Sequence, residues 1–238
     1  MSIFACLKIF CVDYERNVYS KIIHQTYKTY DLPEIYAMCQ TEIKRFHPDF
    51  EYRFYTDEDM DKLMKDEFSD YYDKFNELPR MIMKIDMFRY FLMYKYGGLY
   101  ADMDYRMFRP FDLLEKQIVL PCNREDSEGN PTCLGNCIFA SVPGHPFWKT
   151  LIDSLFTIDR TKLDYSVDSL VDGHVDGTGP MFVFVMWKNF TKKDGMFTGQ
   201  RNLFHPPSRN DPKYIEYLAA SGCYGMHICT GVWRKNKL

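Results

Sequence analysis

The stretch from Arg80 to Pro110, RMIMKIDMFRYFLMYKYGGLYADMDYRMFRP, constrains the fold of this chain more than any other. Its first part, Met81 to Tyr96, is apolar on almost every face, the pattern of a helix buried inside a domain. Pro79 suits a first turn, where its missing N–H costs nothing, and Gly97-Gly98 supply a left-handed stop. At helical rise the segment is ~24 Å long, enough to cross a small domain. Leu99, Tyr100 and Ala101 then read as a short strand that delivers Asp102-Met103-Asp104. Lys84, Asp86, Arg89 and Lys95 interrupt the apolar run, and Asp86 and Arg89, three apart, share a helical face. A buried helix carries such charges only when they are paired or working. This reading aims Asp86, Arg89 and the Asp102/Asp104 pair at one site.

Asp-x-Asp at a strand end has a physical meaning. Alternate strand residues point the same way, and two steps span ~6.6 Å. A divalent cation, or a cation with the ligand it carries, relieves the repulsion between the two carboxylates. Hard oxygen ligands with no His or Cys close by in sequence favour Mg²⁺ or Mn²⁺ over zinc. On an exposed acidic strand the same spacing means nothing. The buried charged helix and the Gly-Gly turn ahead of it single this copy out.

The run IDMFRYFLMYKYGGLYADMDYRMFRPFD resembles the signature of glycosyltransferases with a DXD motif in a sugar-binding region (glycosyltransferase family thirty-two). That family includes the yeast Golgi initiating α-1,6-mannosyltransferase and capsular, cell-wall and viral enzymes, and the large clostridial glucosylating toxins share its core pattern. The resemblance implies an α/β fold of the GT-A type: one domain over residues 1–238, its mostly parallel central sheet flanked by helices. It also implies metal-dependent transfer of a hexose (mannose, galactose or glucose) from a nucleotide diphosphate sugar, a UDP- or GDP-sugar, to a hydroxyl of a glycan or glycoprotein. Retention at the anomeric carbon is implied too, although no nucleophile can be assigned.

Other segments carry further parts of the resemblance. Lys21 to Thr26 reads as a first strand ending in a polar turn, and in open α/β sheets ligands sit beyond such strand ends. It is similar to the family's opening IHQTW, with Tyr27 in place of Trp, which implies nucleotide contacts from His24, Gln25, Thr26 and Tyr27. Without the family, His24 reads as a satisfied turn residue. The Asn136-to-Ser141 block, followed by His145-Pro146-Phe147, resembles a strand-then-helix unit in which an Asn, here Asn136, faces the donor sugar; His145 itself reads as a helix cap. Thr178-Gly179-Pro180 resembles a turn that opens a helix, Met181 to Phe190, near the acceptor. The closing His227…Trp233 segment resembles the family's His…Ser-Trp, with Val232 in place of Ser. It implies that His227 completes the metal or phosphate site and that the Trp233 indole donates to a phosphate oxygen. Within the site, Asp104 is expected to bind the metal directly, Asp102 to touch ribose or a metal-bound water, and Asp86 and Arg89 to read donor hydroxyls from a water-accessible cleft wall.

Composition bounds the rest. With 238 residues, 46% of them hydrophobic, the chain suits one α/β domain with a sizeable core, and a net charge of -3 gives no long-range attraction for nucleic acid. Met1 to Val12 is short, broken by Lys8 and without a basic leader or cleavage site, and no segment has the ~20 apolar residues of a membrane span. A cytoplasmic location is the expectation, unlike the membrane-anchored Golgi members. The eight cysteines form no C-x-x-C pair and read as buried thiols. Pro33 to Phe46 and Asp57 to Phe68 read as helices around a strand at Glu51 to Tyr55, a βαβ rhythm that predicts parallel pairing. Asp70 to Leu78 reads as a connecting helix or loop, Ile118 to Leu120 as a strand and Asn123 to Pro131 as a loop. Asp172 to Asp176 reads as a flexible acidic loop rather than a metal cluster, and the basic residues Arg234, Lys235 and Lys237 close the chain. Oligomeric state is not legible.

Two other classes compete. A haloacid-dehalogenase phosphatase also uses Asp-x-Asp but wants Thr or Val after the second Asp, where this chain has Tyr105 and Arg106. A non-catalytic nucleotide-sugar or glycan-binding module is the alternative.

Overall fold

The computed structural model describes residues 19–113, 115–160 and 177–230. Trp233, the Asp172 to Asp176 loop, the basic tail and two of the cysteines, Cys6 and Cys11, lie outside the described residues.

Strand β1 (Ile22–Thr26) leads through helix α1 (Glu34–Phe46) to β2 (Glu51–Tyr55). Helices α2 (Asp57–Glu67), α3 (Ser69–Asn76) and α4 (Met81–Tyr96) follow, then β3 (Gly98–Ala101) and the short β4 (Tyr105–Met107). Beyond them come β5 (Ile118–Val119), the hairpin β6 (Cys122–Glu125) and β7 (Pro131–Leu134), β8 (Ile138–Ser141) and α5 (Pro146–Thr157). The chain closes with α6 (Pro180–Asn189), β9 (Met196–Phe197), α7 (Arg201–Phe204), α8 (Pro212–Ala220) and β10 (Gly225–His227).

Local chemistry explains most of these bounds. Thr56 and Asp59 form a reciprocal capping box that starts α2, the His145 ring accepts from the Phe147 N–H to start α5, and Pro146 and Pro180 occupy first turns. Pro79, expected inside the first turn of α4, sits just ahead of it, because Arg80 takes the extended N-cap conformation. Gly97 and Gly98 then turn the chain with φ of +62° and +90°, where a side chain is strained. A Cβ on Gly98 would also stand 2.4 Å from the Ile22 carbonyl oxygen, so the turn is closed to larger residues twice over.

The main sheet has the order β2-β1-β3-β8-β5-β9. β1 pairs parallel with β2 and β3, β5 pairs parallel with β9, and only β8 runs against its neighbours. The sheet is mostly parallel, as expected. Alternate residues divide its faces: Tyr100, Phe139 and Ile118 enter a core with α2, α4 and α5, whereas Leu99, Ile138 and Val119 enter a second core with Ile43 of α1.

Two expectations about local structure need correction. The segment from Asn123 to Pro131 is not all loop; it is most of the β6–β7 hairpin, closed by a turn in which Asp126 accepts from the Glu128 and Asn130 N–H groups. Its strands are polar because little of them is buried, so they lack the alternation that marks a strand. Asp102-Met103-Asp104 is likewise a turn rather than a strand continuation, with the Asp102 carbonyl accepting from the Tyr105 N–H at 3.0 Å.

Candidate active site

The site lies where β1 and β3 end and β8 begins. In register, Ala101 faces Ile138, so Asp102 leaves β3 beside Asn136 and Cys137, and the Asp102 N–H donates to the Cys137 carbonyl at 2.7 Å. The tight Gly97-Gly98 turn brings α4 back alongside β3. From that turn the helix climbs ~16 Å to Asp86 while the strand covers ~13 Å to Asp102, so the two carboxylates arrive at similar height. The spacing between Asp86, Arg89 and Asp102 therefore follows from one helix, one turn and one strand.

Arg89 joins them. Its guanidinium lies 3.1 Å from an Asp86 oxygen and 3.3 Å from an Asp102 oxygen, and it donates to the Asn136 carbonyl. The Asn136 amide donates to Asp86 at 2.9 Å, and the Thr178 hydroxyl donates to its other oxygen at 3.1 Å. Asp86 is thus satisfied on both oxygens. Burial still pushes its carboxyl up to about 6, against the pull of Arg89, with the Asp102 charge adding to the rise. Arg89 is held charged despite burial, chiefly by Asp102.

The expected cleft wall is not what the structure shows. Only 3% of the Arg89 side chain and 7% of the Asp86 side chain are exposed, because Asn136 and Thr178 close over them. Asn136, itself half-buried, is the member of this group with surface to offer.

The second half of the site is built across the molecule. Strand β10 pairs antiparallel with β4, placing Gly225 opposite Met107 and His227 opposite Tyr105. Gly225 is required there, since a Cβ would lie 2.4 Å from the Arg106 carbonyl oxygen. His227 Nε2 reaches an Asp104 oxygen at 3.0 Å, and the other oxygen accepts from the Thr230 N–H and hydroxyl, both at 2.9 Å. Cys229 precedes Thr230 with φ of +58°, an uncommon conformation for a non-glycine residue, at the bend that turns Thr230 toward Asp104. Burial disfavours the Asp104 charge, yet His227 and Thr230 together hold its carboxyl down at about 2. His227 is raised well above its usual value: burial opposes its charge, and Cys137 and Asp104 outweigh it. Asp102 is raised by burial, with Arg89 opposing and Asp104 adding.

One ligand atom from each of Asp102, Asp104 and His227 lies within 4.8 Å of the other two. Two carboxylates and an imidazole at that spacing fit a divalent cation such as Mn²⁺. This is the one such cluster among the described residues, and its side chains stay between 13% and 27% exposed, open to a ligand.

The first-strand residues divide into two groups. His24 is fully buried, with one ring nitrogen on the Tyr55 hydroxyl and the other on the Gly97 carbonyl, so it pins β1 to the α4–β3 turn and has no nitrogen to offer a nucleotide. Gln25 is also fully buried; it accepts from the Tyr52 hydroxyl and donates to the Asp102 carbonyl, supporting the DXD turn from beneath. Thr26 and Tyr27 are half-buried at the strand end. The Thr26 hydroxyl meets the Tyr100 hydroxyl, which donates to Asp102 at 2.8 Å, and Tyr27 packs edge-on against Tyr36. Trp233 cannot be placed, lying outside the described residues.

Sequence reasoning singled out the Thr178 turn but not its bond to Asp86. It missed Thr230, Tyr100 and Tyr36, whose hydroxyl meets that of Thr230 at 2.7 Å. A hydroxyl at strand position Tyr100, two residues before Asp102 and so on the same face, was a signal for one of them.

With this geometry in view, residues 33–120 match the family model described as glycosyltransferase sugar-binding region containing DXD motif. This chain carries a DXD glycosyltransferase sugar-binding region. Among its relatives, it is 36% identical over 172 residues to mannosyl phosphorylinositol ceramide synthase CSH1 of Saccharomyces cerevisiae, covering 72% of this chain and 43% of that protein. It is 31% identical over 186 residues to inositol phosphoceramide mannosyltransferase 3 of Schizosaccharomyces pombe, covering 75% of this chain and 49% of the relative. The chain thus spans less than half the length of these two relatives. The solved PaToxG glycosyltransferase superposes with a TM-score of 0.53 at 16% identity, over 74% of this chain and 72% of that one, which shows a shared fold of the GT-A type. In this glycosyltransferase region the DXD pair is Asp102 and Asp104, and α4, the Gly-Gly turn and β3 all fall within the matched span.

Proposed function

We propose that the chain is a metal-dependent mannosyltransferase that moves a hexose from a nucleotide diphosphate sugar to an acceptor hydroxyl. The carrying observation is the convergence of Asp102, Asp104 and His227 beside the Asp86–Arg89–Asn136 network inside a DXD sugar-binding region. Relatives named as inositol phosphoceramide mannosyltransferases favour mannose over galactose or glucose. They also favour a lipid-linked acceptor over the glycan or glycoprotein expected from sequence.

Asp102, Asp104 and His227 would hold the cation, Mn²⁺ or Mg²⁺, which when bound supplies Lewis-acid neutralisation of a departing diphosphate. Thr26 and Tyr27, at the end of β1, are placed to line the nucleotide side. Asn136 is placed to donate to a sugar hydroxyl, held in position by Asp86 and Arg89 behind it. Arg89 also orients Asp102 through their ion pair, and the Tyr100 hydroxyl fixes the same carboxylate from the strand side. His24 and Gln25 contribute as supports for the turn and not as ligand contacts. Trp233 keeps its assignment as a phosphate donor in this reading.

The test is release of nucleoside diphosphate from a panel of GDP-mannose, UDP-glucose and UDP-galactose, with Mn²⁺ and with a chelator. Turnover of GDP-mannose that the chelator abolishes supports the reading. Metal-dependent binding of a donor with no release across the panel would favour the non-catalytic module.

A further inference from the structure

Helix α6, PMFVFVMWKN, is apolar around most of its circumference, yet only Phe182 and Val183 are buried. Met181, Phe184, Val185, Met186 and Trp187 each keep part of their surface in water. A helix of that composition is ordinarily enclosed on all sides. From Gly177 to Lys193 the sequence has no acidic residue, and Lys188, Lys192 and Lys193 stand exposed where the apolar run ends. The Lys193 ammonium lies 4.2 Å from the centre of the Trp187 ring. An apolar face carrying Trp and Phe with lysines at its margin is the side-chain chemistry of a lipid headgroup layer.

The start of α6 is also tied to the site. Thr178, two residues before Pro180, bonds Asp86 through its hydroxyl and accepts from the Tyr90 hydroxyl through its carbonyl, at 2.6 Å. Whatever α6 lies against is therefore anchored close to the buried charges of the active site.

We propose that α6 and its three lysines form a docking surface for an anionic lipid bilayer, with the helix lying in the interface rather than crossing it. No described helix is long and apolar enough to cross. Because the whole chain carries a net charge of -3, the attraction is local to this patch. The proposal rests on the mannosyltransferase reading only in its purpose, which is to bring a lipid-linked acceptor hydroxyl to the site. Its physical content is independent of that reading.

The experiment is co-sedimentation of the full chain with phosphatidylcholine vesicles, and with vesicles in which roughly one lipid in three is phosphatidylserine. Phosphatidylserine is anionic without offering an inositol acceptor, so docking is measured apart from acceptor recognition. The expected result is at least ~10-fold stronger binding to the anionic vesicles, weakening as salt rises. Replacing Lys188, Lys192 and Lys193 with Ala should weaken that binding on the order of 100-fold, with melting temperature and donor hydrolysis unchanged. Trp187→Phe keeps the packing but loses the indole, and should weaken binding to a smaller degree. Equal binding to both vesicles, no effect of the lysine variant, or a concentration-dependent dimer without vesicle binding would each overturn the proposal. Donor hydrolysis in the same preparation separates the two claims: hydrolysis without docking sinks this inference alone, and docking without hydrolysis sinks the enzymatic reading alone.

Discussion

His227 and Asp104 stand 123 positions apart in the chain and 3.0 Å apart in the fold. The β4–β10 pairing sets that distance, and the Ile228 N–H on the Asp104 carbonyl extends the pairing to the metal-binding turn. Replacing His227 with Ala removes the one nitrogen from the cation's donor set. We expect Mn²⁺ affinity to fall tenfold or more while the melting temperature changes little, because Thr230 still satisfies Asp104. Calorimetric titration with Mn²⁺ checks this, and unchanged affinity would remove His227 from the ligand set.

Gly225→Ala tests how His227 is delivered. The added methyl would meet the Arg106 carbonyl and the Tyr105 ring at 2.4 and 2.5 Å, both of which are fixed in β4. The expected outcome is a loss of ~1–3 kcal/mol in stability together with weakened Mn²⁺ binding. Denaturant unfolding and metal titration of the same sample would show it. A variant that is destabilised but binds metal normally would mean that β10 is not what positions the histidine.

The fold was legible where structure is local. The bounds of α4, the Gly-Gly stop and β3 follow from periodicity and turn chemistry within one stretch, and so does the approach of Asp86 to Arg89. The DXD turn was read as strand because a period of two persists through it, and only the inward-turned Met103 reveals the difference. His24 went to the ligand side because a conspicuous polar residue in a strand gives no sign of which buried partner will claim it. Its partners, Tyr55 and Gly97, lie on the neighbouring strand and on a turn 73 residues away. The closing of Asn136 and Thr178 over Asp86 depends equally on contacts between distant segments. Pairings of that kind have no signature in a single sequence.

Burial of the Asp86–Arg89 pair makes its removal costly. Arg89→Ala would strand both Asp86 and Asp102 in an interior that exposes only 7% and 23% of their side chains, with an expected loss of ~3–5 kcal/mol. Asp86→Asn should cost less, because burial already drives Asp86 toward its neutral form and Arg89 keeps Asp102 as a partner. Urea unfolding of the two variants ranks them. A larger loss for Asp86→Asn would contradict this account of the network.

Stability should fall on mild acidification. Burial holds His24, His145 and His205 neutral, lowering them to about 3, about 4 and about 3. Their folded values lie below the unfolded one, so the unfolded chain binds protons first. The stability they contribute is full above ~6.5 and drains away as pH falls toward the folded values. Asp86 runs the other way: its value of about 6 lies above the unfolded carboxyl, so it returns some stability as pH falls through that range. Three groups against one leave a net loss of roughly 3 kcal/mol between about pH 7.5 and about pH 5.5. Urea midpoints at the two pH values test the sign, and equal midpoints would contradict it.

The central claim is that the Asp102/Asp104 turn serves metal-dependent sugar transfer. Its most direct measurement is incorporation of labelled mannose from GDP-mannose into an inositol phosphoceramide acceptor, in Mn²⁺, by the native chain and by Asp104→Asn side by side. The account predicts incorporation by the native chain and none above background by the variant, with circular dichroism confirming that both are folded. Equal incorporation by a folded Asp104→Asn protein, or incorporation that persists in excess chelator, would contradict it.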